Sequence, residues 1–179
     1  MSVIKANRAE SPFHVLANAH DIRKELYDLF YRNFGYKKRK VKLRKANGDL
    51  KTEEELKKDL DRAEADYQYY TWMLDRSRDH IDDCLRSMGD NIVAADAIYP
   101  ATLAEYDDRR RYQDQAIANC FQILQELQFV LETMLFDINK FTRYADMLKS
   151  EIVLLRAWRK SDNKIRRTIR KREQASDEE

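Results

Sequence analysis

Glycine and proline are nearly missing from this chain, three and two among 179 residues. A protein of short strands needs a turn signal roughly every 8–12 residues, so this scarcity excludes the common sandwiches and barrels. Cysteine is scarce too. Cys84 and Cys120 stand alone, with no CxxC pair, which excludes a disulfide framework of the secreted kind and a cysteine zinc site. Both fall on apolar helical stripes, where buried free thiols are expected. Histidine occurs three times, at His14, His20 and His80, and the positions three before them hold Ser11, Ala17 and Ser77. The inward Glu-x-x-His pairs of di-iron bundles are therefore absent. There is no glycine-rich phosphate loop and no nucleophile elbow. No apolar run approaches the ~20 residues of a membrane span, and "MSVIKANRAESPF" has no signal-peptide apolar region. These absences point to a non-enzymatic protein without cofactor, metal or membrane association, in a reducing cytoplasm.

What is present is charge and helix formers. Lys, Arg, Asp and Glu make up 37% of the residues, mixed in sign, and Ala, Leu, Glu, Lys, Arg and Gln dominate, the composition of long solvent-faced helices. The length suits one domain over 1–179. Ser11-Pro12 opens a first helix of about 12–34. It carries Val15, Ala19, Ile22, Leu26 and Leu29 on one stripe, with Gly35 as the stop. Thr52 with Glu55, and Thr102 with Glu105, are capping boxes that open two more helices. The first of these continues through Met73, Ser77, Ile81, Cys84, Met88 and Ile92 to Tyr99-Pro100, as one rod over 53–98 or as two helices jointed near Tyr67–Tyr70. The next has a seam of Ile117, Cys120, Leu124, Leu127, Leu131 and Met134. Phe136-Asp137 marks a turn, with Asp137 or Asn139 as cap of a fourth helix striped by Phe141, Ala145, Leu148, Ile152, Leu155 and Trp158. Ser161-Asp162-Asn163 interrupts that helix before a basic tail, about 161–179. Four such helices make an up-down four-helix bundle. The last two also carry apolar residues off their seams, Phe121, Ile123, Phe129, Val130, Met147, Val153 and Leu154. That excess implies a second buried face and a homo-oligomer.

The net charge of +2 hides a strong asymmetry. Residues 37–45, "KKRKVKLRK", hold seven cations and no acid, and residues 156–172 hold nine cations against Asp162, which leaves −13 on the rest of the chain. The first tract lies in a basic insertion, 36–51, where Asn47-Gly48 fits a short hairpin and a loop fits equally. Two basic segments on an acidic body point to a polyanionic partner. Gathered onto one surface, they would grip a phosphodiester backbone by charge, without reading bases. The nucleic-acid-binding residues expected on this basis are Arg156, Arg159, Lys160, Lys164, Arg166, Arg167 and Arg170, with Lys37, Lys38, Arg39 and Lys40. Arg109 and Arg110 are added from "DDRRRYQ", where neighbouring Asp107 and Asp108 offer ion pairs as the plainer account. Tyr67, Tyr69 and Tyr70, clustered before Trp72, suit either stacking on unpaired bases or ordinary packing. Two rivals stand beside this reading. One is a helical-bundle ribonuclease or toxin–antitoxin component using Arg8 and His14, and the other is a purely structural helical adaptor.

Three stretches carry a family likeness: "CLRSMGDNIVAADAIYP" (84–100), "EYDDRRRYQDQAIANCFQILQELQ" (105–128) and "INKFTRYADMLKSEIVLLRAWRKSDNKI" (138–165). In the last, Glu151, Ile152, Leu155, Ala157, Trp158, Arg159 and Lys160 form a Glu-containing apolar stripe, a small residue, a Trp and then cations. With these the chain resembles the accessory variability determinant (Avd) family of diversity-generating retroelements, although Ala157 stands where a glycine is usual, and residues 36–70 and the tail after 165 exceed the compact members. The resemblance implies a four-helix bundle that assembles into a barrel-like homopentamer. It also implies binding to the element's reverse transcriptase and to template RNA, or DNA, in support of mutagenic cDNA synthesis.

Overall fold

The computed structural model describes residues 12–45 and 48–177. Ser11, Asn47, Arg8 and the last two residues of the tail lie outside them, and with them the Ser11 cap, the Asn47-Gly48 turn and the Arg8–His14 pairing. The described residues are helical throughout apart from their connections. The helices are α1 (Pro12–Tyr31), α2 (Glu53–Ala97), α3 (Leu103–Met134), α4 (Asn139–Ser161) and α5 (Asn163–Asp177).

Local chemistry sets most of these boundaries. Thr52 and Thr102 each accept the backbone N–H of the glutamate three residues on, while Glu55 and Glu105 reach back to the cap backbone, so two orphan donors per helix end are satisfied. α1 ends at Tyr31, earlier than its apolar pattern predicts. Asn33, Phe34 and Gly35 all take positive φ, 49°, 53° and 80°, so Gly35 completes a left-handed turn that begins two residues before it. Burial of Phe34, whose ring lies 5.4 Å from that of Phe30, holds a bulky residue in a conformation it seldom adopts. Between α3 and α4, Leu135 sits at φ 51° as an exposed C-cap. The Asp137 carboxylate accepts the Asn139 N–H at 3.0 Å, and the residue before α4, Ile138, supplies no side-chain cap.

Helices α1 to α4 pack as an antiparallel ring, α1 against α2 and α4, and α3 against α2 and α4. Cross-helix bonds give the register: Tyr27 to Asp82 at 2.5 Å, Ser77 to Glu126 at 2.6 Å, Asn91 to Asn119 at 3.2 Å and Asn18 to Glu151 at 2.6 Å. Val15, Leu26, Leu74, Ile81, Met88, Ile92, Ile123, Leu148, Leu155 and Trp158 fill the interior. In the C-terminal two thirds of α3 the buried apolar positions include Ile117, Cys120, Ile123, Leu127, Val130 and Leu131, with Leu124 and Met134 only partly covered. The predicted seam is thus widened, because a bundle helix meets two neighbours and buries two adjacent rows. Phe121, Phe129 and Val153 stay outside the core.

α2 is one unbroken helix of 45 residues, about 67 Å long. Its bundle-facing burial starts at Met73, and before it only Ala63 is buried. The first 20 residues therefore project about 30 Å beyond the four-helix core. The basic insertion lies along this projection. Tyr36 stacks on Tyr67 with centroids 5.9 Å apart, Lys38 pairs with Glu64, Lys45 with Glu55 at 2.8 Å and Lys51 with Asp59. Arg44 and Leu50 form a single antiparallel bridge, so the insertion is a looped arm closed by one bridge.

Candidate nucleic-acid interface

The tail end of the molecule is organised by a buried ion pair. Tyr106, Arg109, Gln113, Ile117 and Cys120 recur at three- and four-residue intervals, so Arg109 is in phase with the core of α3 and is buried. Its Nε donates to Asp162 Oδ2 at 2.7 Å and its Nη1 to the carbonyl of Ile98 at 2.6 Å, while Gln113 donates to the same Asp162 oxygen at 2.8 Å. The guanidinium also lies 5.3 Å from the centre of the Trp158 ring. Arg109 is therefore a structural clamp holding the α4–α5 corner, buried and bonded rather than presented at the surface as the sequence reading expects of a phosphate ligand. The physical reason is geometric: the interruption at Asp162 places a carboxylate inside the bundle, where only a paired cation makes burial tolerable.

α5 leaves this corner with Ile169 buried and Ile165 half-buried one turn before it. That orientation turns Lys164, Arg167, Arg170 and Lys171 to solvent, and none of them has an ion pair among the described residues. Arg166 lies over the Tyr106 ring at 5.7 Å and Arg156 over Phe121 at 5.6 Å, both exposed, and Lys160 is exposed as well. Arg159 is engaged by Asp114. Arg110 is half-buried, donating to the Tyr106 hydroxyl at 3.0 Å and to Asn163 at 3.4 Å. These two are thus already engaged by protein partners, unlike the exposed cations of α5.

At the other end Lys37, Arg39 and Lys40 are exposed, whereas Lys38 is held between Glu64 and the face of Tyr67, 5.7 Å away. The Lys38 ammonium is the first cause of a lowered Glu64 pKa, and the Lys45 ammonium pulls Glu55 down to about 2. The two basic tracts do not share a surface. The arm contacts α2 at Glu64, while the Arg109 clamp reaches the residue just past the end of α2, Ile98. Thirty-four helical residues, about 50 Å, separate them. Chain parity dictates this: one helix precedes the arm and four precede the tail, so in an up-down bundle they emerge at opposite poles.

Two features escaped sequence reasoning. The arm and α2 enclose a cleft that brings Arg62 into the cationic group, which periodicity within α2 does not reveal. Glu151 is fully buried, with Oε2 bonded to Asn18 and Oε1 without a partner. Burial raises its pKa to about 7, opposed by the Asn18 bond. Burial likewise pushes the Cys120 thiol up to about 12 and that of Cys84 upward, which disfavours the thiolate form of both. His14 is exposed on α1, away from the bundle interior. No group of three or more His, Cys, Asp or Glu among the described residues could hold a metal ion, and no helix there is long and apolar enough to cross a membrane. No family model matches the chain, and neither a curated protein nor a solved structure does.

Proposed function

We propose that the chain is a non-catalytic accessory protein of a diversity-generating retroelement, binding reverse transcriptase and template RNA in the cytoplasm to support mutagenic cDNA synthesis. The observation that carries this reading is the outer face of α5. Lys164, Arg167, Arg170 and Lys171 stand exposed without carboxylate partners among the described residues on a chain that is strongly acidic outside its two basic tracts. Such a face binds phosphates through counterion release and does not discriminate sequence. The all-helical bundle is consistent with the family likeness of the 84–165 region. Phe121, Phe129, Ile138 and Val153, roughly half exposed or more on and beside α3 and α4, support a barrel-like homopentamer in which neighbouring copies cover them.

A salt titration tests the reading. Binding of a single-stranded RNA should weaken linearly in log affinity against log salt. Neutralising Lys164, Arg167, Arg170 and Lys171 to Gln should reduce the slope by roughly 0.7 for each phosphate that these cations no longer neutralise. An unchanged slope refutes the role of α5, and failure of the protein to bind RNA even at low salt favours the structural adaptor.

A further inference from the structure

The projecting part of α2 has no bundle helix to cover it, yet with the arm it carries a run of linked rings and several cations. Beneath the basic arm is a cleft of about 460 Å³, within the range of small-molecule and cofactor sites. Seven of its eleven lining residues are cations and two are acids. One acid, Asp59, is taken by Lys51, and Lys45 turns out to Glu55. Arg39, Lys40, Lys42, Arg44 and Arg62 then face the cleft with Asp66 as the remaining carboxylate. A cavity with so large a cationic excess and so little apolar wall suits phosphate groups.

Aromatic rings lead away from it. Tyr67, Tyr36, Tyr70, Tyr69 and Trp72 are linked in that order by centroid distances of 5.9, 5.7, 5.4 and 6.3 Å. The last two rings are more than half exposed, at 58% and 56%. Arg62, Tyr69 and Arg76 recur every seven residues, so they share one side of α2 at about 10 Å intervals. The Arg76 guanidinium lies over the Trp72 ring at 5.6 Å. Cations alternating with exposed rings along one line is how sequence-tolerant single-strand sites are built: charge tracks the backbone and each ring stacks a base. A duplex, whose bases already stack on each other, gains nothing from the rings.

We propose that the arm and the projecting part of α2 form a binding site for single-stranded nucleic acid, with phosphates in the cleft and unpaired bases on Tyr69 and Trp72. This rests on the reading of the chain as a nucleic-acid-binding protein, but it places contact with unpaired bases at the pole opposite α5. It also gives the long α2 extension a task that a bundle core does not require.

The two tryptophans make the test direct, because Trp72 is exposed and Trp158 is buried. A 12-residue oligouridylate should quench the fluorescence of Trp72, and a hairpin duplex of equal charge should not. Trp72→Phe should abolish the quenching signal. Trp72→Ala should weaken single-strand binding about tenfold and leave duplex binding unchanged. Gln at Arg39, Lys42 and Arg62 together should weaken single-strand binding and flatten its salt dependence. All these positions are at the surface, and circular dichroism checks the fold. Persistence of Trp72-dependent binding in the α5 Gln variant supports this site even where the α5 role fails. Equal affinity for duplex and single strand, or unchanged single-strand affinity in Trp72→Ala, overturns it while leaving the α5 reading intact. Absence of any response from Trp72 also overturns it and leaves the arm and the projecting part of α2 to a protein partner.

Discussion

Glu151→Gln separates burial from charge at a bundle-interior carboxylate that, unlike Asp162, has no cation paired with it among the described residues. Glu151 is fully buried, accepts a single bond from Asn18 of α1 at 2.6 Å, and its other oxygen is unpartnered. Among the described residues it has no cation within ion-pair distance, and its charge in turn helps to raise the Cys120 thiol of α3. Burial lifts its pKa from 4.5 to about 7. Between those values the native state keeps the proton and the unfolded chain releases it. The unfolded state therefore binds fewer protons, and stability falls as pH rises through this window and levels off above it. At 1.36 kcal/mol for each pH unit, the loss is about 3 kcal/mol. Gln cannot ionise, so Glu151→Gln should gain on the wild type by about that amount between pH 4.5 and pH 8. Urea denaturation of both proteins at the two pH values measures it, and the difference between variants cancels every other titrating group. A gap that is the same at both pH values would mean that the carboxylate is ionised in the native core at pH 5, and would refute the argument.

Substitutions at two further places test the helix connections. Arg109→Ala or Asp162→Asn leaves one member of a buried pair uncompensated and should destabilise the fold by about 3–5 kcal/mol. Replacing both with Met and Leu should cost less than either alone, and denaturation followed through Trp158 fluorescence reports all three. Leu135→Gly relieves a left-handed conformation at an exposed cap and should stabilise the protein by about 1 kcal/mol. A loss of stability in that variant would mean that the Leu135 side chain packs in the assembled protein.

Much of the architecture is legible because it is decided within a few residues of each element. Thr52 with Glu55, Thr102 with Glu105, the break at Tyr99-Pro100 and the interruption at Asp162 all act through backbone groups one turn away. The apolar stripes identify Leu26, Ile81, Cys120, Leu148 and Trp158 as interior whatever their partners are. The continuity of α2 through Tyr67–Tyr70 is different. Nothing local breaks that segment, and only the docking of Tyr36 and Lys38 against it shows how the exposed part is accompanied.

By itself, then, the order of residues determined an all-helical chain, its helix starts and its two reserves of positive charge, since propensity, capping and composition are local. Tertiary structure decided which charges are free. Arg109 and Asp162 meet across 53 positions, Asn18 and Glu151 across 133, and Lys38 finds Glu64 only because the arm folds back along α2. Those pairings depend on the rotation and direction of whole helices. The direction alone sends the arm and the tail to opposite ends, so the two reserves of positive charge form two separate surfaces.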